Sequence, residues 1–126
     1  MKVEFIECPE DIRKVAEYYI EKMKFRNVKR LIITTNLYKA VELHCKLEGL
    51  PPIYIPSCAY FASDGACYIY PSDQYGIYLR KEVASRDAHL ILHELAHVYH
   101  HAELRLEVEP TTYCTCKKRR RKYTCI

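Results

Sequence analysis

The sequence predicts an α+β domain, on three observations. Residues 3–48 alternate short apolar runs with amphipathic helical stretches in the order β-α-β-α. Residues 53–81 then break into short, aromatic-rich runs separated by turn residues, which reads as a small mixed or antiparallel sheet. A single long helical pattern over about 86–104 follows. A chain of 126 residues suits one compact core. With 49% hydrophobic and 29% charged residues, the composition is ordinary globular and excludes wholesale disorder.

Taken in order, Val3–Ile6 is a short strand. Pro9 opens a helix with Glu10 and Asp11 in its first turn, where acids suit the positive end of the dipole. Ile12, Val15, Ala16, Tyr19, Ile20 and Met23 recur at three- and four-residue intervals and form its inner face. Leu31–Thr34 is a compact β-type run. Thr35 or Asn36 caps a helix over 37–48, and Gly49 stops it. Ile53–Ile55, Ala59–Ala62, Ala66–Tyr70 and Gly76–Lys81 read as a β-meander. Asp64-Gly65 is a hairpin turn signal that would set Ala62 opposite Cys67. In the last helix, Ala88, Leu92, Leu95, Tyr99, Ala102 and Leu106 are the expected inner stripe, and Pro110 ends any continuation. The division is thus a domain over 1–110 and a basic, cysteine-bearing tail over 111–126.

No apolar run approaches the roughly 18 residues needed to span a bilayer, and MKVEFIECPEDIRK has no continuous apolar stretch of a secretory signal. A cytoplasmic or other intracellular location is therefore expected, with no membrane partner. The net charge of +4 is concentrated in Lys117, Lys118, Arg119, Arg120, Arg121 and Lys122. Such a run reads as a solvated arm or as a nucleic-acid contact. The seven cysteines leave at least one thiol unpaired within the chain. One Gln, two Asn and abundant Lys and Glu suit an intracellular protein of a hyperthermophile, or of a virus infecting one, where disulfides persist.

The chemistry lies in His93-Glu94-Leu95-Ala96-His97, an HExxH motif. Residues i and i+4 share a helical face, so both imidazoles can reach one Zn²⁺. Glu94 is rotated about 100° from His93 and can take a proton from water at the metal as general base. Zinc lowers the pKa of such water to about 7 and polarises the scissile carbonyl. Chance predicts roughly 0.03 such motifs in a chain of this composition.

The run from Ser57 through His101, with Gly76-Ile77-Tyr78-Leu79-Arg80 ahead of the HELAH helix, resembles a minimal zincin. It is most similar to SprT-like and minigluzincin-type metallopeptidases. The resemblance implies a zincin-like fold with an HExxH active-site helix. It also implies a substrate-aligning edge strand at Gly76–Lys81 and extended polypeptide as substrate. Cys114, Cys116 and Cys125 resemble a shortened C-terminal zinc ribbon. Free thiols and disulfides are the alternatives for these three.

Catalytic zinc usually takes three protein ligands and water. His101, Glu103, Glu107, Glu109 and a partner chain are the candidates for the third. In an unbroken helix Glu103 rotates about 240° from His97, and His101 lies roughly 12 Å along the axis from His93. The expected function is a zinc-dependent metallopeptidase, with His93 and His97 on the metal and Glu94 as base. The alternative is a catalytically inactive nucleic-acid-binding or regulatory protein that keeps the scaffold and uses its basic tail. The oligomeric state is left open.

Overall fold

A computed structural model describes residues 1–49, 64–105, 113–119 and 122–125, the last two stretches by their backbone course. The elements run β1 (Lys2–Ile6), α1 (Glu10–Met23), β2 (Arg30–Thr34), α2 (Leu37–Glu48), β3 (Gly65–Tyr70), β4 (Gln74–Leu79), α3 (Lys81–Ala84), α4 (Ala88–Ala102), β5 (Tyr113–Arg119) and β6 (Lys122–Cys125). The architecture is mixed α+β, with the strands in one sheet ordered β1-β2-β4-β3-β5-β6. β1, β2 and β4 are parallel, and β3, β5 and β6 join as antiparallel neighbours.

Local signals explain the first half. Asn36 caps α2 by accepting from the Lys39 N–H at 3.1 Å. Gly49 ends α2 at φ +70°, a left-handed conformation that costs glycine little. Leu31, Ile32 and Ile33 of β2 form an unbroken apolar, buried run because it is a central strand with helices on both sides. Its Leu31 and Ile33 join Ile12 and Ala16 of α1, Cys67 of β3, Ile77 and Leu79 of β4, and the inner face of α4 in the main core. The opposite face carries Ala66, Tyr68, Tyr70 and Tyr78 under Ala40, Val41 and Cys45 of α2. Each fully buried Leu or Ile of the main core contributes about 1.5–3 kcal/mol. The sheet is thus sandwiched between α1 with α4 and α2.

The turn between β3 and β4, Pro71-Ser72-Asp73, falls in the break expected between the runs Ala66–Tyr70 and Gly76–Lys81, with Ser72 and Asp73 at φ +65° and +58°. Other expectations change. Cys67 lies between Ile77 and Cys114 in the sheet, so both of its lateral positions are taken, and Ala62, expected opposite it, lies outside the described residues. The runs at Ile53–Ile55 and Ala59–Ala62 lie outside the described residues. The strand expected over Gly76–Lys81 ends at Leu79, and Lys81 opens α3. Asp87 accepts from the His89 N–H at 3.0 Å and starts α4 afresh. The inner face of α4 is Leu90, Ile91, Glu94, Leu95, Val98 and Ala102. Ala88 is exposed and Leu92 half-buried, because apolar residues on more than one face of the helix leave the phase of its buried stripe to packing. Leu106 lies outside the described residues. The tail is no free arm along 113–119 and 122–125: β5 pairs with β3, and β6 forms the sheet edge.

Candidate metal centre

The site is built on α4 where it crosses the start of β3. Gly65 makes the crossing possible. A Cβ on Gly65 would lie 2.8 Å from Leu90 Cδ1 and 3.0 Å from Glu94 Oε2, so these two buried side chains would have to shift to admit a larger residue. Glu94 consequently points at the sheet and is 0% exposed. Beneath it, burial and the negative field of Glu94 push the Cys67 thiol well above its ordinary pKa, keeping it protonated.

His93 and His97 flank this buried face, each half-buried. Their Nε2 atoms are 3.0 Å apart, with ring centroids at 4.6 Å and planes at 77°. Two nitrogens on one tetrahedral ion at bond lengths of 2.0–2.1 Å would be about 3.3 Å apart, so the pair is nearly set for chelation. A Glu94 carboxylate oxygen and both imidazole nitrogens lie within 4.8 Å of one another. His93, Glu94 and His97 therefore form a group that can hold a metal ion, the one such group among the described residues. Desolvation lowers the His93 pKa. Desolvation, then the fields of His93 and His100, lower that of His97 to about 4. Both rings are neutral near pH 7, the state a metal ligand requires.

The candidates for a third ligand separate clearly. Glu103 accepts from the backbone N–H groups of Arg26 at 2.6 Å and Asn27 at 2.7 Å, and its other oxygen takes Asn27 Nδ2 at 3.1 Å. It clamps the α1–β2 connection against the end of α4. His101 Nδ1 is 2.7 Å from the Tyr75 hydroxyl. Burial raises the Tyr75 pKa to about 12 and lowers that of His101, so a neutral phenol donates to a neutral ring. Neither residue is directed to His93 and His97. Glu107 and Glu109 lie outside the described residues.

The substrate-aligning edge read from Gly76–Lys81 is corrected. β4 lies between β2 and β3, so its backbone groups are already paired on both sides. The strand edges open among the described residues belong to β1 and β6. Lys117, Lys118 and Arg119 fall at the end of β5 and Lys122 at the start of β6, which gathers them at the tip of one hairpin. Arg120 and Arg121 lie outside the described residues. His89 is exposed on the first turn of α4. Sequence reasoning missed the part played by Gly65, although an isolated glycine opening a strand signals close backbone approach. It also missed the clamp of Glu103, for which no local signal exists. No helix among the described residues is long and apolar enough to cross a membrane. No family model, no curated protein and no solved structure matches the chain.

Proposed function

We propose that this chain is a zinc-dependent metallopeptidase of zincin type acting on extended polypeptide. The observation that carries the reading is the 3.0 Å approach of His93 Nε2 and His97 Nε2 with the Glu94 carboxylate in the same cluster. His93 and His97 would hold the ion as neutral ligands. Bound zinc supplies Lewis acidity toward a carbonyl and makes water acidic enough to deprotonate near neutral pH. Glu94 would serve as the base, holding a proton taken from water and passing it to the departing amine. Its burial against Gly65 limits its rotamers, so the base is held without a search of conformations. The edge-strand position of β6, rather than β4, is then the place where an extended chain can add to the sheet near α4.

The test is metal stoichiometry and peptide hydrolysis in the wild type and Glu94→Gln. One zinc per chain is expected in both proteins, with hydrolysis lost by about 10²- to 10⁴-fold in the variant. A wild-type protein that takes up no zinc, or hydrolysis indifferent to the substitution, would sink the proposal.

A second reading, a nucleic-acid-binding protein without catalysis, draws on the cations gathered at the β5–β6 tip. Six phosphate contacts would give log K a slope of roughly −5 against log salt. Binding that is unchanged when Lys117, Lys118, Arg119 and Lys122 are all replaced by Ser would show that the hairpin tip is not the contact, and no binding at all would rule this reading out.

A further inference from the structure

The register of the last three strands brings four of the seven cysteines into two opposed pairs. Cys67 of β3 is the partner of Cys114 of β5, and Cys116 of β5 is the partner of Cys125 of β6. Partners across strands share a face, as do residues two apart on one strand, so all four positions lie on the face to which Gly65 belongs. Directly opposed antiparallel residues have Cα atoms about 4.5–5.5 Å apart, inside the roughly 4.4–6.8 Å that disulfides span. We propose that Cys116 and Cys125 form a cross-strand disulfide that staples the β5–β6 hairpin.

Among the described residues β6 is an edge strand with β5 as its strand neighbour. Of its four partner pairs, Arg119 faces Lys122, two cations directly opposed. β5 is anchored to β3, whereas β6 is held in the sheet through β5, and like charges face each other at the hairpin tip. Cross-linking the far end of the same ribbon removes open-chain conformations without asking anything of the charged end.

The other arrangements fit less well. Cys67 is 1% exposed and a free thiol under α4, closed off from an oxidant in solution. A single zinc on all four cysteines is excluded by spacing. Cys67 and Cys125 are two strands and about two residues apart, or about 12 Å, whereas sulfurs on one tetrahedral zinc at 2.3 Å are about 3.8 Å apart.

The oxidant required is a low-molecular-weight disulfide. One cysteine thiolate attacks it, forms a mixed disulfide and releases one small thiol. The second thiolate attacks the protein-side sulfur of that bond and releases the other. Two protein thiols lose two electrons and two protons, and the reagent's S–S bond becomes two thiols.

The sequence provides a direct assay, independent of metal and of catalysis. Trypsin cuts within Lys117–Lys122, so residues 106–117 and 123–126 separate unless a bond at Cys125 joins them. The whole protein is treated with oxidised glutathione, alkylated and digested without reductant. The expected product is the joined peptide, lighter by two hydrogen atoms than its two parts. It persists in Cys114→Ser and disappears in Cys116→Ser and in Cys125→Ser. Recovery of residues 123–126 as a separate alkylated peptide overturns the proposal. So does a joined peptide that survives Cys116→Ser, or a zinc ion that shields all three tail thiols from alkylation.

Discussion

Gly65 lies directly beneath Glu94: a Cβ on the glycine would come within 3.0 Å of the carboxylate Oε2 and 3.2 Å of Cγ. The absence of one carbon on β3 thus decides how deep an acidic side chain of α4 can sit. Gly65→Ala is expected to force Leu90 and Glu94 aside and to destabilise the fold by about 1–3 kcal/mol. Chemical denaturation measures the loss. Because Glu94 moves with the helix, zinc affinity should fall as well. Unchanged stability would mean that α4 is free to lift from the sheet.

The depressed pKa of His97 gives the metal-free protein a defined acid response. The unfolded chain protonates this imidazole below about 6.5, while the folded one resists until about 4. Between those values the unfolded state binds more protons, so stability falls as pH falls through the window. With partial exposure allowed for, the effect is on the order of 1–2 kcal/mol. His97→Gln should flatten that segment of the stability profile. A profile of undiminished slope would show that another group is responsible.

The same neutrality bears on metal uptake. Affinity for Co²⁺, a spectroscopic stand-in for Zn²⁺, should hold from pH 7 to about 6 and decline toward pH 4 as protons compete. His93→Ala and His97→Ala should each lower it by at least about 100-fold, since even groups behind the ligands account for 10- to 100-fold. Visible absorption titrations at a series of pH values report both effects.

Glu103 is a clamp, and its removal separates structure from ligation. Glu103→Ala strands the N–H groups of Arg26 and Asn27 and should cost about 1–2 kcal/mol at this partly exposed site. Metal affinity should be unaffected. A 10-fold loss of affinity in the folded variant would instead make Glu103 a ligand.

Tyr75→Phe removes the donor to His101 Nδ1 and keeps the ring in the core. About 0.5–1.5 kcal/mol of stability should be lost, with zinc stoichiometry unchanged. The ¹⁵N shifts of His101 should move, while those of His93 and His97 stay in place.

The sequence by itself determined the local features. Asn36 and Gly49 announced both ends of α2, because capping depends on residues within a turn of each other. The spacing of His93 and His97 gave the chelating pair, because four residues make about one turn in any α-helix. Tertiary structure decided everything that depends on which surfaces meet. It set the buried phase of α4, which apolar residues on more than one helix face leave open, and so placed Glu94 inward on the line of Leu90 and Val98. It put β4 in the middle of the sheet instead of at its edge, because strand order is a matter of long-range pairing. It also drew residues 113–125 into the sheet, where hydrogen bonds to β3 and between the two strands outweigh the preference of a cationic run for solvent.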